Sequence, residues 1–146
     1  MLRRGPVLAD LFASAMPITP TQPQLEALLA ADLEGPIIML NLLRFKDQAD
    51  GIDAGVSGRE AYRRYAEATA PFLERVGGRL LLAADAKTMV IGPEVLEWDM
   101  ALMVEYPSRE KFLEMASDPD YLAVHEHRSA ALSDSRLIAC QPPSGV

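Results

Sequence analysis

The 146-residue sequence predicts a single α+β domain built on a four-stranded antiparallel sheet, and three observations predict it. Apolar runs over residues 37–45, 79–91 and 98–106 carry large hydrophobic residues on both alternating faces, as covered strands do. Helix-capping patterns stand between these runs. The resulting order is strand, helix, strand, then strand, helix, strand, which is the split βαβ pattern of ferredoxin-like folds.

The predicted helices begin at side chains that accept hydrogen bonds from a first helical turn. Ser57 with Glu60 three residues later reads as a capping box, and Asp118 followed by proline is an equally clear start. Glycine and proline end the segments. The first two helices are predicted from Thr21 to about residue 34 and from Ser57 to about residue 76. The third is predicted over Arg109–Met115 with Ser108 as its cap, and the fourth from Asp120 to about Leu132 after the Asp118-Pro119 start.

The strands are separated by loop and turn residues. The second strand is predicted to continue past Asp85 to Ile91, and Gly92-Pro93 is predicted to turn the chain into a third strand from Trp98. Residues 46–56 read as a loop, and a last strand is predicted over 135–140. The predicted boundaries are an N-terminal arm and extra helix over 1–35, the ferredoxin-like domain over 36–141, and a tail over 142–146.

Helices on one face of such a sheet leave the other face bare. Because the strands are apolar on both alternations, that bare face needs a partner, and we expect a homodimer in which two sheets pack face to face.

The composition excludes several classes of protein and of binding partner. The hydrophobic share of 49% excludes a disordered chain, and the net charge of −7 with a pI near 4.8 argues against nucleic acid and anionic membrane. No run approaches the ~18 apolar residues of a membrane span. Asp10 interrupts the apolar segment after Met1, so a secretory signal is not expected and a cytoplasmic protein is. Cys140 is the single cysteine, which excludes an internal disulfide.

Several segments, in this order, resemble one family. They are residues 41–46 (NLLRFK), 58–66 (GREAYRRYA), 77–79 (GGR), 104–108 (VEYPS) and 127–128 (HR). Together they are similar to family 1330 of the domains of unknown function, within the dimeric α+β-barrel superfamily, over roughly residues 36–140. The resemblance implies a ferredoxin-like fold and a dimeric barrel, and it implies no reaction. Superfamily relatives include cofactor-free monooxygenases, isomerases, haem enzymes and stress proteins, an analogy at the level of fold.

Inward polar residues are the candidates for a site. Asn41 interrupts an apolar strand, and it either makes a structural hydrogen bond or contacts a substrate. Tyr62 and Tyr65 lie on the sheet-facing stripe of their helix, where phenols pack or donate a proton. Trp98 is either a wall of the same pocket or a dimer anchor.

Three charged residues have a structural and a functional interpretation each. Arg44, near a strand end, forms a surface ion pair or clamps an anion. Glu105 is paired to an arginine or, with a pKa raised by burial, acts as a base. Arg128 pairs with Glu105 or with Asp134, or binds substrate.

The two histidines are His125 and His127. On a helix their side chains diverge by about 200°, so no metal site is expected. His127 is either a partly exposed helix residue or an acid–base group, because its ordinary pKa lies near neutrality.

The leading hypothesis is a small-molecule-binding homodimer, with cofactor-free monooxygenase-like or isomerase-like chemistry on a small organic acid or ring. The mechanism would be positioning and one proton transfer, with Asn41 or Arg44 stabilising an oxyanion. The alternative is a structural or regulatory dimer without chemistry. No cofactor is expected. The predicted catalytic residues are His127 and Tyr65, and the predicted substrate-binding residues are Asn41, Arg44, Tyr62, Trp98, Glu105 and Arg128.

Overall fold

The computed structural model describes residues 17–144. The predicted absence of a signal segment, which falls on residues 1–16, lies outside the described part. Four strands form one antiparallel sheet in the order β2-β3-β1-β4, which confirms the predicted fold class. The strands are β1 Ile37–Phe45, β2 Arg79–Asp85, β3 Met100–Tyr106 and β4 Leu132–Cys140.

Four helices accompany the sheet. They are α1 Gln22–Ala30, α2 Gly58–Arg75, α3 Arg109–Ala116 and α4 Pro119–Ala131, and a short 3-10 turn spans Gly51–Asp53. The caps form at Thr21, Ser57, Ser108 and Asp118, as predicted. The Glu60 carboxylate, however, accepts hydrogen bonds from Arg63 and so serves the exposed face of α2.

The core lies between the sheet and the helices. Odd-numbered residues of β1 face the helices, and Ile37, Met39 and Leu43 are buried there with at most 3% of their surface exposed. Leu102 and Tyr106 of β3 extend this face. Both elements therefore present one alternation to a common core, which is what a sheet covered on one side requires.

The other face of the sheet carries an apolar row that crosses all four strands. Leu82 pairs with Met103, Met103 with Leu40, and Leu40 with Ile138. Leu82, Met103 and Ile138 are exposed, and we call these four residues the open-face row. The sheet is not closed within one chain.

The predicted continuation of the second strand to Ile91 is wrong. Ala86 donates its N–H to the carbonyl of Asp99, and Asp99 donates its own to Leu43 of β1, so beyond this point the segment has no strand to pair with. Val90 and Ile91 are 85% and 91% exposed in a loop over residues 86–99. The third strand accordingly begins at Met100, two residues after its predicted start.

Within residues 17–144, none of the helices has the length and apolar character that crossing a membrane demands.

Candidate active site between sheet and helices

All four tyrosines of the chain lie in the layer between the sheet and the helices. Two come from α2, one ends β3 and one opens α4, and α4 adds an imidazole and a guanidinium. We call this group the tyrosine cluster. Its members are Tyr62, Tyr65, Tyr106, Tyr121, His125 and Arg128.

Aromatic contacts connect the cluster. The ring centroids of Tyr62 and Tyr65 are 5.3 Å apart, and those of Tyr65 and Tyr121 are 6.4 Å apart in an edge-to-face arrangement. The hydroxyl oxygens of Tyr65 and Tyr121 lie 2.7 Å apart and share a hydrogen bond. The His125 ring stands edge-on to both, with centroids at 6.3 and 5.9 Å. This geometry joins α2 to α4 through polar atoms inside an apolar layer.

Burial keeps three phenols of the cluster protonated. It raises the pKa of Tyr62, Tyr106 and Tyr121 well above the ordinary value, and the neighbouring phenol of Tyr65 adds to the rise. The guanidinium of Arg128 opposes this effect on the pKa of all three. At neutral pH these hydroxyls therefore donate hydrogen bonds or a proton and do not supply a phenolate.

His125 behaves in the opposite sense. Burial, and then the positive charge of Arg128, lower its pKa to about 4. The imidazole is consequently neutral at pH 7, and one of its nitrogens accepts a hydrogen bond or a proton.

Arg128 is 7% exposed, and its Nη1 donates to the carbonyl oxygen of Ile18 at 2.6 Å. The predicted ion pairs of this residue are wrong. Glu105 pairs with Arg79 at 2.8 Å across the open face of the sheet, and Asp134 accepts from Arg136 at 2.6 Å. Both carboxylates are thus engaged by arginines nearer to them.

A second polar group lies where the loop after β1 meets the two helices. Asp53, whose side chain has no exposed surface, accepts from Arg64 Nη1 at 2.8 Å and lies 2.7 Å from His127 Nδ1. We call these three residues the Asp53 junction. Burial acts to raise the pKa of Asp53, but the hydrogen bonds from His127 and Arg64 outweigh it and hold the pKa below the ordinary value.

The structure divides the predicted site residues among three places. Asn41, Tyr62, Tyr65 and Arg128 belong to the layer between sheet and helices. The Asn41 amide donates to the carbonyl of Met39 at 3.3 Å, which is the structural interpretation of that residue. His127 belongs to the Asp53 junction, so the two predicted catalytic residues, His127 and Tyr65, are not brought together.

The remaining predicted residues lie on the open side of the sheet. Arg44 is 3.9 Å from Glu97, the predicted surface ion pair, and lies on the alternation of β1 that faces away from the helices. Trp98 stacks under the guanidinium of Arg136, which shares the alternation of Leu42 on that face. Glu105 lines an open cleft of about 370 Å³ at this side of the sheet. These residues and the tyrosine cluster lie on opposite faces, so one pocket of a single chain cannot gather them.

Five residues of these two groups were not predicted as site residues, and one of them, His125, was considered only as a metal ligand. Tyr106 and Tyr121 carried a signal, since both fall on inward alternations of their elements. The pair Asp53 and Arg64 carried none, because an acid in a polar loop and a basic residue on a helix face look like solvated charges in sequence. Their partnership depends on how the loop folds back.

His125 and His127 face different neighbours, as their helical spacing predicts. In the described part of the chain, no three or more His, Cys, Asp or Glu side chains gather in a way that could hold a metal ion.

Comparison with known proteins places the chain in a family. The profile of the domain of unknown function DUF1330 matches residues 52–141. The crystal structure of the RPA0582 protein of unknown function from Rhodopseudomonas palustris is 41% identical, with 87% of this chain and 97% of that chain covered and a TM-score of 0.80. Among curated proteins, none matches this chain.

More distant structures share the fold alone. A DABB-family protein with a ferredoxin-like fold from Mesorhizobium loti is 13% identical, covering 76% of this chain and all 100% of that chain, with a TM-score of 0.51. The At3g17210 protein from Arabidopsis thaliana is 14% identical over 75% of this chain and 98% of that chain, with a TM-score of 0.52. With the family profile over most of the domain and a 41% identical relative along nearly its whole length, the chain belongs to the DUF1330 family.

Proposed function

We propose that this protein is a homodimer that binds a small organic molecule in the layer between its sheet and its helices. The observation that carries the proposal is the tyrosine cluster, where four phenols, an imidazole and a guanidinium converge within an apolar core. Apolar surroundings with a few convergent polar groups are typical of small-molecule sites.

Core packing alone gives a weak account of the cluster. Phenylalanine and leucine would fill the same volume without the cost of desolvating hydroxyls and a charge. The four tyrosines and Arg128 each keep 6–9% of their surface exposed, so the cluster borders solvent. Departures of this kind from the ordinary rules of a core are expected at functional sites.

The groups present suit one proton transfer without a cofactor. The neutral imidazole of His125 would accept a proton from an activated C–H or O–H of the ligand. The hydrogen-bonded pair Tyr65 and Tyr121 would donate to the oxygen on which negative charge develops. This proposal gives His125 the acid–base role that the sequence suggested for His127, and Tyr65 keeps its predicted role as a donor. An enolisable organic acid or ring is the substrate class that fits.

The second half of the proposal is the homodimer. The open-face row is an apolar strip, and ion pairs flank it at Arg79 with Glu105 and at Arg44 with Glu97. An apolar centre with a polar rim resembles the interfaces of stable dimers. Two such faces packed together would form a barrel from two chains.

The test uses the fact that every tyrosine of the chain belongs to the cluster. A library of small organic acids, phenols and lactones is screened by thermal shift, and hits are titrated into protein labelled with 3-fluorotyrosine. A ligand at about 100 times its Kd should stabilise the protein by about 2.7 kcal/mol and raise Tm by about 5–11 °C. It should also shift the fluorine resonances, which a ligand bound elsewhere would leave in place.

Tyr121→Phe is the matched variant, since it removes one hydroxyl and keeps the ring. We expect affinity for a hit to fall by about 2- to 10-fold, the effect of one neutral hydrogen bond. Leu122→Ala, the exposed neighbour on α4, should bind as the wild type does. If no compound both raises Tm and moves the fluorine resonances, the small-molecule site is contradicted. The result then favours the alternative, a structural or regulatory dimer without chemistry.

A further inference from the structure

We infer that the ligand is an organic carboxylate, that Arg128 binds its anionic end, and that the ligand displaces the backbone carbonyl of Ile18 to reach it. This inference rests on the proposed function and deepens it, because it names the chemical class of the ligand and the segment that must move.

Arg128 carries a buried positive charge. The residue is more than nine-tenths buried, yet among residues 17–144 no carboxylate lies within ion-pair distance of its guanidinium. Glu105 and Asp134, the acidic residues that could have served, are bound by Arg79 and Arg136. A buried guanidinium beside phenols and a neutral imidazole creates a positive potential in the cluster, and an anion is the ligand that such a potential selects.

The Ile18 carbonyl accepts from one nitrogen of the Arg128 guanidinium, Nη1. A guanidinium offers five N–H donors in a planar fork, and a carboxylate can accept two of them in parallel. The Ile18 carbonyl is a neutral acceptor with a single oxygen, at 2.6 Å from Nη1. A carboxylate would bind the fork through two charge-assisted hydrogen bonds, which are stronger than the bond it replaces.

The carbonyl that Arg128 binds belongs to the segment over residues 17–20. Residues 17–20 precede α1, and the side chains of Arg128 and Ser135 hold their backbone. Arg128 donates to Ile18, and the Ser135 hydroxyl donates to the carbonyl of Pro17 at 2.6 Å. Since Ile18 also packs against the core, the segment covers Arg128, and a carboxylate must open it. Ser135 and the ligand therefore act on the segment in opposite directions.

The experiment compares benzoate with benzamide, which have the same ring and nearly the same shape but differ in charge. Binding is measured by calorimetry and by the resonances of 3-fluorotyrosine-labelled protein. We expect benzoate to bind at least 10-fold more tightly than benzamide, and Arg128→Met to remove this preference. Arg136→Met, on the open side of the sheet, should keep it.

Ser135→Ala supplies an independent measurement that needs no change in the cluster. Removal of the hydroxyl weakens the hold on residues 17–20, so benzoate should bind about 2- to 10-fold more tightly than to the wild type, the effect of one neutral hydrogen bond. Loss of a hydrogen bond that only stabilised the fold would not raise affinity. The affinity of Ser135→Ala for benzoate therefore tests the inference even if Arg128→Met fails to fold.

The outcomes separate the two proposals. If benzoate and benzamide shift the resonances with equal affinity, or if Ser135→Ala binds benzoate no more tightly, the inference about Arg128 and Ile18 is overturned while the small-molecule site stands. If benzoate at 50 mM moves none of the resonances, the carboxylate inference fails, and the library screen alone then decides the proposed function.

Discussion

Asp53 connects three separate parts of the chain. It lies in the 3-10 turn after β1, and it is held by Arg64 of α2 and His127 of α4. The carboxylate is fully buried, whereas its two partners are partly exposed. Because both oxygens are used, the side chain fixes the distance between the helices at this end of the molecule. Its contribution is therefore to stability, and it holds in place the layer that contains the tyrosine cluster.

We predict that Asp53→Asn destabilises the protein by about 2 kcal/mol, because a buried charge-assisted hydrogen bond contributes about 1.5–3 kcal/mol. Tm should fall by about 4–8 °C. Asp50→Asn is the matched control from the same loop, since Asp50 forms an exposed pair with Lys46 and its change should stay within about 0.5 kcal/mol. Urea unfolding at pH 7 measures both. Equal stabilities for the two variants would contradict the role of Asp53.

The same variant has a pH signature. The folded-state pKa of Asp53 is lower than its unfolded value, so between the two the unfolded chain binds more protons and stability rises with pH. The contribution is complete above the unfolded value of about 3.9 and is lost as pH falls through the folded pKa. The difference in unfolding free energy between wild type and Asp53→Asn should thus shrink as pH falls below 4. A difference that does not change down to pH 3 would contradict it.

At the scale of elements, the tightest approach is at Gly58, where the start of α2 meets the ends of β1 and α4. Gly58 donates its N–H to the Lys46 carbonyl, and Lys46 donates its own to the Ala131 carbonyl. A Cβ at position 58 would lie 2.2 Å from the Lys46 oxygen, at 2.7 Å from the Ala131 oxygen, and both are backbone atoms that cannot turn aside. The glycine is required here by close approach of three elements.

We predict that Gly58→Ala destabilises the protein by about 3 kcal/mol or more, the range of overpacking against atoms that cannot yield. This reverses the ordinary helix preference, by which alanine is favoured over glycine by about 1 kcal/mol. Ser57→Ala, which removes only the neighbouring cap, should lose about 1 kcal/mol. Thermal unfolding measures the stability of both variants. If Gly58→Ala is as stable as Ser57→Ala, the close approach of α2, β1 and α4 at position 58 can widen without cost, which contradicts the prediction.

These elements differ in how far they could be predicted. The helices were predictable because Thr21, Ser57, Ser108 and Asp118 cap them through contacts within three residues along the chain. The end of β2 was not predictable from the sequence, because it depends on a contact with a distant strand. The N–H of Asp99 donates to the carbonyl of Leu43 in β1 and no longer to β2. Apolar residues in the following loop, Val90 and Ile91, look like strand residues in sequence and are exposed.

The site follows the same rule. Tyr62 and Tyr65 were predictable as inward residues because helical spacing is local. The partnership of Tyr65 with Tyr121, across 56 positions of sequence, was not, and neither was the meeting of Arg64 with Asp53 through a loop. Local patterns predicted the face on which a side chain lies, while the identity of its partner required the packing of α2 against α4.

At the scale of the whole molecule, the side of the sheet away from the helices carries an exposed apolar strip in the middle of its strands. Three residues of the open-face row, Leu82, Met103 and Ile138, have 36–48% of their surfaces exposed. A monomer in water would leave this surface uncovered, which is unfavourable by about 25 cal/mol for each Å² of apolar area. The helix side, in contrast, carries most of the exposed ion pairs, such as Arg63 with Glu60.

We predict that Met103→Glu converts a dimer into a monomer. Met103 lies in the middle of the open-face row, between Leu82 and Leu40, so in a face-to-face dimer a carboxylate there would meet its own copy or apolar side chains of the partner near the two-fold axis. Burying that unpaired charge would cost several kcal/mol, enough to separate a micromolar or nanomolar dimer. Light scattering on a sizing column at 10 μM should give twice the chain mass of 16.0 kDa for the wild type and the single mass for the variant. Leu122→Glu places the same charge at an exposed apolar position on α4 and should remain a dimer. A wild-type chain that is monomeric at 10 μM would contradict the proposed dimer. A different partner would then have to cover the open-face row.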